Sequence, residues 1–380
     1  MKIAILTQPL GHNYGGLLQA YALQVHLKKL GHDVETIDRR EPLKKTDQLK
    51  NSLLNLIRLI LGRINSLPTV NRQGYVLSKL TDFRDNFISM SPPILSEREI
   101  RDYFEKKEFD AVIVGSDQVW RPCYSPSLLN FYLDFLDDIN SPAKRIAYAA
   151  SFGVSDWEYS EETTQKCRTL ASMFTSISVR EKSGIDLCKN KLGVSARLVV
   201  DPSLLLDPAD YELLITGENI KKDFVLSYVL DPEREKQFIA KIISDTLKME
   251  LLYIKPETTI VEVKSKDIDK CRYTSVEHWL QSFRYAKFVV TDSFHGTVFS
   301  ILFNKPFIAI GNSSRGMARF ESLLSQFNLM ERLVKSEDEI TDELILEPID
   351  WQEINITRKL LANEGRLFIK ENLLDMNNNG

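Results

Sequence analysis

Histidine can trade a proton near neutral pH, and arginine offers a planar fork to a phosphate or carboxylate. The candidates for such chemistry here are His295, Arg180, Arg315 and Arg319. Asp117 reads either as a general base for a hydroxyl or as a cap on the next turn. Arg180 reads as an anion contact or as a salt-bridge partner of a carboxylate such as Glu181. Arg315 and Arg319 read as anion contacts or as a solvated loop and helix face. The most informative stretch runs from Phe288 to Thr297. Its apolar start, Phe288 to Val290, predicts a short buried strand, and Thr291-Asp292-Ser293 can cap a helix. His295 then falls in the first helical turn, just past the C-terminal end of a strand. Free backbone N–H groups and the positive end of the helix dipole suit an anion there. The alternative is a histidine packed in a loop without chemistry.

Such a histidine needs a parallel sheet to present it. Ile3 to Thr7 predicts a first strand, Gln8 to Gly16 a loop with three glycines, Leu17 to Leu30 a helix, and Val34 to Ile37 a second strand. That order opens a doubly wound sheet. The glycines do not spell G-x-G-x-x-G, so no dinucleotide site is read; they either let backbone approach a ligand or make a tight turn. Further strands end in polar tips. Asp110 to Val114 leads into Gly115-Ser116-Asp117, and Arg145 to Ala150 into Ser151-Phe152-Gly153. Ser176 to Val179 leads into Arg180-Glu181, and Leu198 to Val200 into Asp201-Pro202-Ser203. In a parallel sheet all these tips emerge on one edge, so Asp117, Arg180 and Asp201 should gather around one cleft.

The pattern restarts after Asp207. Strands are expected over Phe224–Leu230, Leu251–Ile254, Phe288–Val290 and Phe307–Ile310, and the tip after the last contains Arg315 and Arg319. The expected fold is α/β, two Rossmann-like halves facing across a cleft in a GT-B-like manner. Residues 1–205 should form the N-terminal domain on the acceptor side, and 206–350 the C-terminal domain on the donor side. Residues 351–380 should form a closing helix and a frayed tail ending in Asn377-Asn378-Asn379-Gly380. A basic helical insertion is expected near 48–105. Residues 48–81 contain no Asp or Glu but do contain Lys50, Arg58, Arg63, Arg72 and Lys79 among leucines and isoleucines. This predicts one amphipathic helix, either packed on the domain or lying on an anionic membrane surface.

The totals narrow the class. A chain of 380 residues, 43% hydrophobic and 27% charged, fits two soluble domains. A net charge of -4 argues against a large basic face for nucleic acid. The apolar run Ile3 to Leu6 is too short for a signal-peptide core, and no stretch reaches membrane-span length. Cys123, Cys167, Cys188 and Cys271 form no CxxC pair and fit reduced cytosolic thiols. The histidines show no HxH or HExxH spacing, so neither a metal nor a cofactor is expected. Nothing in the composition sets an oligomeric state.

Several pieces in order resemble the polysaccharide pyruvyl transferase family. They are Asn13-Tyr14-Gly15-Gly16, Val114 to Trp120, Ala147 to Gly153, Ile177 to Glu181, Val200 to Ser203, and Thr291 to Thr297. The resemblance implies a GT-B-like fold, phosphoenolpyruvate as co-substrate, and a cyclic pyruvate ketal formed on a sugar of a glycan or lipid-linked glycan precursor. It implies His295 as acid or phosphate contact, Arg180 as a holder of donor phosphate or carboxylate, and Asp117 near acceptor or donor. Asn13, Tyr14, Gly15, Gly16 and Ser116 would lie on the acceptor or loop side. It also implies a cytoplasmic protein, with peripheral contact at the inner face of the membrane as an open option. The family pattern commonly places an arginine two residues before the histidine, where this chain has Ser293. Arg315 or Arg319 would then complete the donor site with Ser293, or the donor would differ. The alternatives are a GT-B glycosyltransferase using a nucleotide sugar and a non-catalytic sugar- or anion-binding homologue.

Overall fold

Runs such as Ala111-Val112-Ile113-Val114 and Phe288-Val289-Val290-Thr291 are buried at every position, which suits strands covered on both faces. The computed structural model describes residues 1–11, 13–42, 45–215, 222–231, 233–311 and 316–374. Two parallel sheets result. The first holds β1 (Lys2–Leu6), β2 (Asp33–Ile37), β3 (Ala111–Val114), β4 (Lys144–Ala150), β5 (Ser176–Val179) and β6 (Arg197–Leu198). Its order is β2-β1-β3-β4-β5-β6. The second holds β7 (Phe224–Tyr228), β8 (Glu250–Tyr253), β9 (Phe288–Thr291), β10 (Phe307–Ile310) and β11 (Leu333–Val334), in the order β11-β10-β9-β7-β8. Each order reverses direction once, at β1 in the first sheet and β7 in the second. Ligands in such sheets bind beyond the carboxyl ends of strands next to that reversal.

The halves share an apolar core. The helix Tyr14–Lys29 of the first half brings Tyr14, Leu17 and Leu18 into one cluster with Trp279, Phe283 and Phe299 of the second. The Tyr14 and Trp279 rings stack at 5.5 Å with 17° between planes. The long helix Trp351–Leu373 crosses back: Ile354 packs in that shared cluster, whereas Phe368, Ile369 and Leu373 pack with Ile3, Ile113 and Ile146 of the first sheet.

Two expectations change. The first helix starts at Tyr14 and not at Leu17, because the Asn13 side chain accepts the Gly16 N–H and caps it. Residues 48–81 are not one helix but parts of two, Lys45–Ile60 and Val70–Phe87. Gly62 turns the chain at φ 66, Pro68 cannot donate a helical hydrogen bond, and Thr69 caps the second helix by accepting from the Arg72 N–H.

Candidate functional site

Each tip of the first sheet is fixed by a specific bond. Asp117, after β3, has φ 75, a conformation aspartate tolerates better than most residues. Its Oδ1 accepts the Gln118 N–H at 2.9 Å, and its carbonyl accepts from Ser151 of the neighbouring tip. After β4, the Phe152 and Gly153 N–H groups donate to Glu181 Oε1 at 2.7 and 3.1 Å. Glu181 is therefore engaged by backbone and not by Arg180. Adjacent residues at a strand end point to opposite faces, and Arg180 turns the other way.

Arg180 pairs with Asp201. Its Nη1 donates to Asp201 Oδ2 at 2.7 Å and lies 3.3 Å from Ser116 Oγ, and its Nη2 lies 3.6 Å from Asp117 Oδ1. Asp201 Oδ1 accepts the Ser203 N–H at 2.9 Å, and Oδ2 accepts the Ser116 hydroxyl at 3.1 Å. Both charged side chains are almost fully enclosed, at 1% and 0% exposure. Burial alone would raise the Asp201 carboxyl. The neighbouring His295 imidazole, the Arg180 guanidinium and the Ser203 N–H outweigh it and hold the group well below the usual carboxylate range.

The second half supplies His295. Ser293 caps the helix Phe294–Leu302, accepting the Gly296 N–H at 3.3 Å. An arginine here could not accept that bond. Asp292 is spent on the fold: its carboxylate takes the Leu230 and Asp231 N–H groups at 2.5 and 3.2 Å and Lys236 Nζ at 3.1 Å. His295 Nε2 lies 3.5 Å from Asp201 Oδ2 across the two halves, an ion-pair distance and too long for a good hydrogen bond. Among the described residues this buried nitrogen has no hydrogen-bond partner. The other side of the ring rests on Gly15, where a Cβ would stand 2.1 Å from His295 Nδ1. That close approach explains glycine at the start of the first helix. A second interdomain contact is backbone on backbone: a Cβ on Gly316 would stand 1.7 Å from the Gly153 carbonyl oxygen.

Arg319 completes the cationic side. Its guanidinium lies over the Phe294 ring at 5.7 Å, and that of Arg180 lies over the same ring at 4.4 Å. Burial and the like charge of Arg180 push Arg319 down to about 10, still cationic at neutral pH.

These groups surround a cavity of about 510 Å³. Asn13, Tyr14 and Gly15 line one wall, Asp117 another, and Ser293, His295 and Arg319 face them from the second half. Arg180 and Ser116 do not line it; they lie behind Asp117 and hold Asp201. Gly16 also sits behind the wall, tied to Asn13. Arg315 lies outside the described residues. The sequence reading placed Asp201 at the cleft but gave it no role of its own. It also passed over Tyr228, Lys255 and Tyr273, which line the cavity. Lys255 follows β8 closely, so the same strand-tip rule could have found it.

Comparisons with known proteins agree with this architecture. The UDP-N-acetylglucosamine 2-epimerase structure from Rickettsia bellii has a TM-score of 0.51 at 10% identity, covering 98% of this chain and 96% of that one. The Neisseria meningitidis UDP-GlcNAc 2-epimerase bound to UDP-GlcNAc has a TM-score of 0.50 at 11% identity, covering 98% and 99%. At such identities the likeness concerns the fold, which is GT-B-like. General stress protein 30 of Bacillus subtilis (strain 168) is 23% identical over 278 residues, covering 69% of this chain and 78% of that protein. The sequence profile described as Polysaccharide pyruvyl transferase matches residues 13–314, a span that contains Asn13, Asp117, Arg180, Asp201 and His295. With a match over most of its length and a GT-B-like fold around the matched residues, this chain belongs to the polysaccharide pyruvyl transferase family.

Proposed function

We propose that this protein transfers pyruvate from phosphoenolpyruvate to a sugar of a polysaccharide or lipid-linked glycan precursor. Membership of the family makes it a transferase acting on polysaccharide. The observation that carries the finer reading is a buried histidine, its Nε2 without a hydrogen bond and 3.5 Å from the Asp201 carboxylate, at a cavity that also holds Arg319 and Asp117. In this reading His295, as imidazolium, protonates the methylene carbon of the donor. The adjacent carbon becomes cationic, and a sugar hydroxyl adds to it while passing its proton to Asp117. A second hydroxyl of the same sugar then attacks that carbon and passes its proton to the now neutral His295, the bond to the phosphate oxygen breaks, and phosphate leaves with the proton held by Asp117. The product is a cyclic ketal, and the donor carbon has exchanged one phosphate oxygen for two sugar oxygens. Arg319 balances the donor's negative charge, since Ser293 is occupied as a helix cap. Unpaired Cys123, Cys167, Cys188 and Cys271 fit a reducing cytoplasm.

Acceptor-dependent phosphate release from phosphoenolpyruvate is the direct test. His295→Ala should lower it about 10²–10⁴-fold, the usual weight of a positioned acid. Thermal stabilisation by nucleotide sugars with none by phosphoenolpyruvate would overturn the reading in favour of a glycosyltransferase. Gly15→Ala offers an independent check of geometry. The new methyl must push the His295 ring aside, and a displacement near 1 Å should cost about 10²-fold in kcat. An unchanged kcat would mean the ring position is irrelevant to turnover.

A further inference from the structure

The segment between β2 and β3 turns an apolar face outward. In the helix Lys45–Ile60, Leu53, Leu54, Leu56, Ile57 and Ile60 are all exposed, Ile60 at 76%, and Leu61 just beyond is exposed at 60%. At 3.6 residues per turn these positions share one arc of the helix. Asn55 and Leu59, on the opposite side, are the half-buried ones. The helix thus rests on the protein through Asn55 and Leu59 and presents leucine and isoleucine away from it. A helix packed on a soluble domain does the reverse.

The charge beside this face is mostly basic, with Asp47 the acidic residue of the helix. Exposed Arg58 stands at the edge of the arc, and exposed Arg63 follows the turn at Gly62. No Asp or Glu occurs from 48 to 81, although the whole chain is at -4. The linker after Arg63 is anchored to the second half: the Asn65 N–H donates to the Val261 carbonyl at 2.7 Å and the Ser66 hydroxyl to the Ile260 carbonyl at 2.5 Å. The carboxylate in that loop, Glu262, is occupied by Thr258 and Thr259. The next helix reaches the cavity, because the Tyr273 N–H donates to the Val76 carbonyl at 3.1 Å and Tyr273 lines the wall.

We infer that the helix Lys45–Ile60 and its Arg63 edge form a docking face for an anionic lipid bilayer surface. The apolar arc enters the headgroup boundary, and Arg58 and Arg63 meet the lipid charge. No helix among the described residues is long and apolar enough to cross a membrane, so the contact is with one leaflet. The face stands independently of the proposed reaction, and if that reaction holds, it brings the Tyr273 side of the cavity toward a lipid-linked acceptor.

The test is co-sedimentation with vesicles of phosphatidylglycerol and phosphatidylcholine, against phosphatidylcholine alone. The full chain should bind the anionic vesicles and release them at about 1 M salt, where the screening length falls to roughly 3 Å. Arg58→Glu with Arg63→Glu should weaken partitioning about tenfold or more. Leu53→Ser with Ile57→Ser and Ile60→Ser should abolish it, with the melting temperature unchanged in both variants because all these side chains are exposed. Absence of vesicle binding by the natural chain, or binding indifferent to both variants, would overturn the inference. So would a dimer that dissociates in the serine variant without any vesicle binding, since the face would then join two copies. Phosphate release with a water-soluble acceptor, read in parallel, reports on the reaction and not on the surface.

Discussion

Arg180→Met should destabilise the protein by about 3–5 kcal/mol, the usual cost of breaking a buried ion pair from one side. Methionine roughly fills the space, so the loss is mainly electrostatic. Asp201 would keep the Ser116 hydroxyl and the Ser203 N–H but would lose its 2.7 Å guanidinium partner while remaining at 0% exposure. Asp117 would lose the cation 3.6 Å from its Oδ1. Phe294 would lose the guanidinium over its ring. Calorimetry should show a fall in melting temperature of roughly 10 °C for a domain of this size. Arg180→Lys should recover part of the loss, because it restores charge without the fork that reaches Asp201 and Ser116 together. A fall of less than about 2 °C for Arg180→Met would mean that the cluster is not held by its charges.

Asp201→Asn should cost about 3 kcal/mol at pH 7, and the cost should shrink in acid. The sign follows from the direction of the shift. The folded protein holds the Asp201 carboxyl below its ordinary value, despite burial, through His295, Arg180 and the Ser203 N–H. A group depressed in this way contributes stability above its unfolded value of about 4, and that contribution drains as pH falls through the folded value. Asparagine keeps the shape but has no charge to titrate. Urea unfolding of both proteins at pH 7 and at about pH 3.5 should therefore give a wide gap and then a narrower one. A gap that widened toward acid would show that Asp201 is stabilising in its neutral form.

The strands and their tips were legible for a physical reason. A parallel strand buried on both faces reads as an unbroken apolar run, as in Ala111–Val114 and Phe288–Thr291. The tips follow from topology alone, which is how Asp117, Arg180 and Asp201 could be placed at one edge and His295 just past a strand end of the second half. Local pairing was not legible. The sequence offered Glu181 or another carboxylate for Arg180; strand alternation sends Glu181 away, and the partner is Asp201, reached only when β5 and β6 lie side by side. The break in 48–81 was hidden because leucine and isoleucine continue through Gly62 and up to Pro68, so the apolar pattern outlasted the helix. Gly15 read as a loop glycine that lets backbone approach a ligand or makes a tight turn, whereas its constraint comes from a histidine 280 positions away (295 − 15).

Tyr14, Leu17 and Leu18 pack directly among Trp279, Phe283 and Phe299, so each half, besides a core cluster of its own, shares one with the other. A gene fragment encoding one half would make a chain with a bare oily flank, prone to aggregate rather than to bind. Exchange of halves between distant relatives would strand Tyr14 opposite a surface shaped for another ring. The two halves should therefore fold only together, and a change on the first helix should call for a matching change around Trp279.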